Sequence, residues 1–485
     1  MKNTVNKADW LAAGRCQAMA WSGLRVESLP ADEATRFRME QGQEVGVCAR
    51  ELYPNGVLVV GTAKASVAEV TQGLVTDRSA HTLFEAAFEI GPFAARADIL
   101  SREGSAWHLL EVKSSFSDST SIKEYVDDLA YTAMVLRRAG LAVVKTSLVL
   151  LSRDYRHGMG VDSLFTVVDQ TEAAEPRAAE FERIADAVAS ALLGEVRPAS
   201  VMVSACRGCD YFSSECLGAG HEHTVLELPN LHHTKLKKLS ADGIISLSHM
   251  PADFALSDRQ RRVMDAALSG QIFVADGLGA TLQSILWPCH YLDFETVATV
   301  MPLYEGHGCH QQVLTQFSVH HRDAPDADPR HSEFLANARQ SEERQLAEAL
   351  IEVLGQKGSI IVYGSFEKTR ISALRDVFAD LGEDLDALLG RLVDLCEVIA
   401  SNVYHPEFKG SFSIKQVVPA LVPDLSYAGL AVADGNTAIA KFARMARGEI
   451  PSDAIALTRA QLLAYCRLDT LGMVRLHEVL CRLAP

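Results

Sequence analysis

Asp293 and Glu295, in the stretch HYLDFET, stand two residues apart. Alternate side chains of a strand share a face, so both carboxylates look one way while Leu292 and Phe294 look the other. Near the C-terminus, Tyr465 and Asp469 in YCRLD are four apart, which stacks them on one face of a helix. An aspartate there completes a bed for a pair of cations, and a tyrosine hydroxyl positions an attacking water. Divalent ions about 4 Å apart stabilise both the entering and the leaving oxygen of a phosphodiester. Between these motifs, IIVYGSFEKTRI offers Glu367 shortly after a strand, and RLVDLCEVI offers Asp394. Taken singly, each pattern is ordinary: Asp-x-Glu is common, and a helical tyrosine is more often core.

A second set lies upstream. Glu111 and Lys113 in WHLLEVK project together from a strand, and Asp98 in AARADIL lies beside them if the two strands pair. Two carboxylates and a backbone carbonyl hold Mg²⁺ or Mn²⁺, which prefer oxygen ligands. A neighbouring lysine orients the attacking water or lowers its pKa. The ordinary alternative is a solvated Glu-x-Lys pair on a surface strand.

Ten cysteines are too sparse in this chain for a secreted disulfide scaffold. Cys48, Cys289, Cys309, Cys396, Cys466 and Cys481 sit in mostly apolar contexts, which core burial explains. Cys206, Cys209 and Cys216 instead have the ligand spacing C-x2-C-x6-C, with Cys16 as the candidate fourth thiolate. Zinc in a four-cysteine site and a Cys206–Cys209 redox pair are the alternatives.

Residues 94–100 and 107–113 read as strands joined by a turn over Arg102–Ser105, 122–139 as a helix stopped at Gly140, and 141–151 as a buried strand. A helix over about 175–194 leads to the cysteines. Residues 221–285 are polar and helical in pattern, with a weak helix-hairpin-helix reading at Thr234–Ile244. From Pro288 the pattern resets: strand 289–296, helix 333–354, strand 359–364, helix 369–381, and a last helix starting near Thr458, whose hydroxyl can cap it. Strands alternating with helices make an α/β chain.

The 485 residues carry a formal net charge of −16, and residues 1–220 hold 22 basic and 29 acidic side chains, so both halves share the excess. That counts against a large basic nucleic-acid face, though carboxylates gathered around cations also raise the acidic count. Local basic runs exist at Lys235, Lys237 and Lys238 and at Arg259, Arg261 and Arg262. No apolar run reaches the ~20 residues of a membrane helix, and the first residues lack the apolar core of a signal peptide. The expectation is a cytoplasmic protein with no membrane partner; no protein partner is indicated.

Cys16, the Asp98 and Glu111-x-Lys113 core, and the C-x2-C-x6-C of Cys206, Cys209 and Cys216 together resemble the iron–sulfur branch of the PD-(D/E)XK, RecB-like nucleases, over about residues 10–220. The resemblance implies a structural [4Fe–4S] cluster on the four cysteines and catalysis by Asp98, Glu111 and Lys113. Two positions depart from it. In GQEVG, Gly46 stands where many relatives have a histidine. In DDLAYTAMVL, Thr132 and Leu136 stand for a glutamine followed three residues on by tyrosine.

The C-terminal set resembles the DEDD exonucleases with a tyrosine in the last motif, an RNase H-like fold, with Glu367 replacing the usual middle aspartate. Residues 288–483, including SFSIKQVVPAL, are also similar to an uncharacterised bacterial domain fused behind RecB-like modules. The implied architecture is an α/β chain with a RecB-like restriction-endonuclease-type core (1–220), a helical linker or small helical module (221–285) and an RNase H-like exonuclease-type domain (286–485). The implied activity is Mg²⁺- or Mn²⁺-dependent hydrolysis of DNA rather than RNA, on single strands and from an end. The alternative is a nucleic-acid-binding or scaffold protein with one or both modules inactive.

Overall fold

AARADIL and WHLLEVK form an antiparallel hairpin turned at Gly104, whose φ of +64° disfavours any residue with a Cβ. The structure, a computed structural model, describes residues 3–26, 30–77, 80–426 and 428–484. The chain is mixed α/β and divides into two units. The first comprises Met1–Val201, Gly208–Leu217 and Thr299–Gln311; the second comprises Met202–Arg207, Gly218–Ala298 and Gln312–Pro485.

In the first unit, α1 (Lys7–Arg15), α2 (Gln17–Gly23) and α3 (Glu33–Ala49) precede β1 (Val57–Leu58) and α4 (Val67–Asp77). Then come β2 (Thr82–Ile90), β3 (Phe93–Glu103), β4 (Ala106–Phe116), α5 (Ile122–Arg138), β5 (Val143–Leu151), β6 (Phe165–Asp169), α6 (Thr171–Leu193) and the short α7 (Phe212–Glu215). The six strands lie in sequence order. β2, β3 and β4 pair antiparallel, and α5 carries the chain across to β5, which pairs parallel with β4. α5 buries Leu129, Tyr131, Met134 and Leu136 against this sheet, beside Trp10 and Phe93. Its Tyr131 hydroxyl donates to the carbonyl of Val5 at 2.6 Å, so the aromatic is both core and tether.

The second unit contains α8 (His233–Ala241), α9 (Asp258–Ser269), β7 (Phe273–Val274) and α10 (Leu278–Gln283). These are followed by β8 (Cys289–Val297), β9 (Val313–Arg322), β10 (Arg330–Leu335), α11 (Glu343–Leu354), β11 (Ser359–Val362), α12 (Phe366–Val377), α13 (Gly382–Leu389) and β12 (Leu392–Asp394). The chain ends with α14 (Leu395–Asn402), β13 (Val403–Tyr404), α15 (Ile414–Leu421), α16 (Gly435–Arg447) and α17 (Ile455–Leu483). The sheet order is β10–β9–β8–β11–β12. β8 is central, antiparallel to β9 and parallel to β11. Leu292 and Phe294 point into a core with Phe317, Leu346, Ile360 and Ile371.

Several expectations shift. Residues 333–335 belong to strand β10 and the helix begins only at Glu343. Phe334 lies 5.8 Å from Phe317 across the β9–β10 ladder, and that cross-strand packing outweighs the helical spacing. Thr458 does not cap α17: the helix starts at Ile455, and the Thr458 hydroxyl donates back to the carbonyl of Ala454. At Thr234–Ile244 a single α-helix ends in a turn at Gly243, a 3-10 turn follows at Leu247–His249, and the next α-helix of the described residues starts at Asp258.

Candidate metal centres

In the second unit, β8 alternates as its sequence demands, so Asp293 and Glu295 share the face opposite Leu292 and Phe294. A register shift between Glu295 and Thr296 kinks the strand at this point. α17 lies across the sheet and presents Tyr465, Cys466 and Asp469 from one face. The Cys466 thiol, 0% exposed, donates to Asp293 Oδ2 at 3.3 Å. Ligand atoms of Asp293, Glu295 and Cys466 all lie within 4.8 Å of one another.

α12 contributes Glu367 from its first turn. It is 3% exposed, and its carboxylate takes the N–H of Phe294, the residue between the two β8 acids. Its Oε2 has no hydrogen-bond partner.

Burial is the first cause of the shifts here, and mutual repulsion the second. Asp293 is pushed well above the usual carboxylate range by burial, then by Asp469, Glu295 and Glu367. Glu295 rises to about 8 through burial and Asp469, with Lys415 pulling the other way. Glu367 rises to about 7, chiefly through burial. Tyr465 is raised by burial and by Asp469, so it remains a neutral phenol. Crowded buried carboxylates held as acids are what a cation site looks like before its ion displaces the protons. The donor set of Asp293, Glu295 and Cys466 is one that can hold a metal ion.

Two groups that sequence patterns did not single out complete this surroundings. Lys415 of α15 places its ammonium 5.3 Å from the centre of the Tyr465 ring. Gly435, at the start of α16, brings the helix N-terminus close enough that a Cβ there would be 3.9 Å from Glu295 Oε2. Asp394 is a cap rather than a ligand. Its Oδ1 accepts N–H groups from Gly364, Cys396 and Glu397, closing the start of α14.

In the first unit, the β3–β4 ladder ends at Ile99 and Leu110, and Asp98 and Glu111 follow directly beyond it on the two strands. Asp98 Oδ2 takes the N–H of Val112 at 2.8 Å. Both acids line a cleft of about 800 Å³ with Gly42 and Gly46 of α3 and with Glu85, Arg50 and Arg96. Asp98 rises to about 7 through burial and the charge of Glu111. Burial also pushes Glu111 up, but Lys7 and Lys113 outweigh it and hold Glu111 below its usual value.

Lys113 reaches Glu111 at 3.1 Å and also bonds Asp128 of α5. Burial works against the Lys113 charge, yet Glu111 and Asp128 together raise its pKa, so it stays an ammonium and a donor. Asp128 thus brings an α5 carboxylate onto Lys113 one helical turn before Thr132. Thr132 is buried and bonded back to the carbonyl of Asp128. Lys7 of α1 is also hydrogen-bonded to Glu111, 104 residues away in sequence, a distance no local motif can reveal. Glu111 Oε2 remains without a partner.

Cys16 stands between α1 and α2 in extended conformation, and its thiol caps neither helix. Cys209 and Cys216 flank α7 in the same unit, half-buried, with Cys216 Sγ 3.2 Å from Ser200 Oγ. The α2 helix runs beside this loop: a Cβ on Gly23 would lie 3.8 Å from the Tyr211 hydroxyl. Arg25 and Trp21 hold α2 through hydrogen bonds to the carbonyl of Gly194, at the end of α6. Cys206 belongs to the second unit, buried in a 3-10 turn, where its sulfur accepts the N–H of Val203.

No curated protein and no solved structure matches the chain. Residues 290–413 match a family described as a domain of unknown function (DUF2779). That stretch carries Asp293, Glu295 and Glu367 and ends before Tyr465, Cys466 and Asp469.

Proposed function

We propose that the chain is a metal-dependent nuclease acting on DNA, with its working centre in the second unit. The reading rests on one observation: Asp293, Glu295, Glu367 and Asp469 act on one another's charge at the centre of one sheet, with Tyr465 beside them. The strand order supports an RNase H-like exonuclease domain, with β10, β9 and β8 antiparallel to one another and β11 and β12 continuing parallel from the other edge of β8. The β2–β3–β4 hairpins with the α5 crossover to β5 support a RecB-like core in the first unit.

Bound divalent cations would supply Lewis-acid stabilisation of the phosphodiester oxygens. The chain's own residues do the rest. Asp293, Glu295, Glu367 and Asp469 would hold the ions and give up their protons on loading. The neutral Tyr465 hydroxyl orients the attacking water by donating or accepting a hydrogen bond, since it cannot serve as a base. Lys415 lies beside the same carboxylates and steadies the negative phosphate. In the other unit Lys113, kept protonated, acts as a donor to substrate or water. By donor type, the thiols of Cys16, Cys209 and Cys216 in the first unit suit an iron–sulfur cluster.

The test is cleavage of end-labelled single- and double-stranded DNA and RNA with Mg²⁺ or Mn²⁺. Cleavage of single-stranded DNA from an end, abolished by Asp293→Asn, is the expected result. No cleavage, or cleavage indifferent to that change, removes the proposal.

One observation favours a second reading for the first unit. Lys7 sits on Glu111, so this site is charge-balanced without a cation. The unit then serves as a nucleic-acid clamp, visible as salt-sensitive DNA binding that survives Lys113→Ala.

A further inference from the structure

We propose that the second unit's site is a mixed oxygen–sulfur centre, in which Cys466 joins Asp293 and Glu295 as a ligand and makes one cation position selective for a thiophilic ion such as Zn²⁺ over Mg²⁺. The inference takes its location from the nuclease reading but concerns binding, not turnover. Cys466 reads in the sequence as a core cysteine, and an ordinary core cysteine has apolar neighbours. This one points its sulfur at a carboxylate, 3.3 Å from Asp293 Oδ2 and 3.7 Å from the Asp293 carbonyl.

Those spacings are ligand spacings. With metal–sulfur bonds of about 2.3 Å and metal–oxygen bonds of about 2.0–2.2 Å, a tetrahedral ion leaves sulfur and oxygen about 3.5 Å apart. Asp293, Glu295 and Cys466 already converge within 4.8 Å.

An independent sign that a cation belongs here comes from a different helix. Glu367 is 3% exposed, its Oε2 has no partner, and its charge bears on both Asp293 and Glu295. A buried carboxylate oxygen left unbonded among other carboxylates is expensive unless an ion neutralises the group. Mg²⁺ is served by oxygen alone, whereas a thiolate in the set favours softer ions. A serine or alanine at this place would leave an all-oxygen site; the cysteine changes which ion is preferred.

The experiment uses the metal-stripped full chain, titrated with Zn²⁺ against a chelator, with Mn²⁺, and with Cd²⁺ as a probe of thiolate ligation by ultraviolet charge-transfer absorption. Wild type is compared with Cys466→Ala, Cys466→Ser and Asp293→Asn, each first shown to fold by its thermal melt. Expected are roughly 10- to 100-fold weaker Zn²⁺ binding in both Cys466 variants, with Mn²⁺ binding within about threefold of wild type. The Cd²⁺ band should shrink by the same increment in Cys466→Ala and in Asp293→Asn, which separates this thiol from the other cysteines. Zn²⁺ affinity unchanged in both Cys466 variants overturns the inference, even where Mg²⁺-dependent cleavage is intact. Zn²⁺ discrimination that depends on Cys466 supports it, even in a chain that cuts no nucleic acid.

Discussion

The ammonium of Lys7 is bonded to the carboxylate of Glu111, closing a loop of chain that spans both strands of the β3–β4 hairpin. Lys7 therefore competes with any cation for the first unit's acids. Lys7→Gln should strengthen Mn²⁺ binding at Asp98 and Glu111 by roughly tenfold. It should also destabilise the metal-free unit by about 2–4 kcal/mol, because the buried acid loses one of its two ammonium partners. Calorimetric melts with and without Mn²⁺ check both, and an unchanged Mn²⁺ affinity removes the competition.

Gly46 lines the same cleft, and a Cβ built there meets nothing within 4 Å. Gly46→His should therefore fit. It should gain about 0.5 kcal/mol from helix propensity and supply a nitrogen ligand beside Asp98 and Glu111. Manganese binding followed by electron paramagnetic resonance should tighten, while a clash would show instead as a lowered melting temperature.

In the second unit, Asp469→Asn should lower cleavage on the order of 1,000-fold by weakening the cation bed. Tyr465→Phe should cost roughly 10- to 100-fold in kcat by misplacing water, with metal affinity retained. Loss of metal binding in Tyr465→Phe would reassign the tyrosine to structure.

The metal-free second unit should have a characteristic pH dependence. Glu295 and Glu367 are raised to about 8 and about 7, chiefly by burial, so the folded state keeps protons that the unfolded chain has released. Stability then falls as pH rises from 4.5 towards 8. His320, lowered to about 3, and His321, His331 and His477, lowered to about 4, are kept neutral chiefly by burial. They oppose that trend, losing stability as pH falls from 6.5 towards 4. Above pH 6.5 the histidine effect fades and the carboxylates dominate. Melts should decline between pH 6.5 and 8 by several degrees, and Mn²⁺ should abolish that decline while leaving the acid side untouched.

Anaerobic preparations should be brown, absorbing near ~400 nm with iron and sulfide in similar amounts. Cys209→Ser should bleach them. A colourless chain holding one zinc would make the cysteines a zinc site.

The second unit's acids were legible because two periodicities did the work. The alternation of HYLDFET puts hydrophobics in the core and leaves Asp293 and Glu295 a shared face, and the four-residue step in YCRLD does the same for Tyr465 and Asp469. What escaped has equally physical causes. Cys466 lies between those two helix positions in an apolar context, and only the crossing of α17 over β8 aims its sulfur at Asp293. Lys7 and Lys415 arrive from remote helices with no pattern of their own. The spacing over 333–354 predicts too long a helix because Phe334 suits a helical spacing and a strand pairing equally well until Phe317 stands beside it. Asp394 had the right type and neighbourhood, but its oxygen goes to backbone N–H groups.

The segment Thr299–Gln311 leaves the second unit's sequence after β8 and belongs to the first unit before β9 resumes. There the Val300 amide donates to Gln41 Oε1 at 2.7 Å, and the His310 ring bonds the carbonyl of Ser114, just beyond Lys113. Val300 and Cys309 share a small core with Val45, Leu151, Tyr155 and Leu164. A fragment cut anywhere near residue 220 would consequently lack part of its own wall, with a buried amide oxygen orphaned and the end of β4 unbraced. Dissecting the protein near residue 220 would strip the first unit of part of its own core, so tests of either proposed site require the uncut chain.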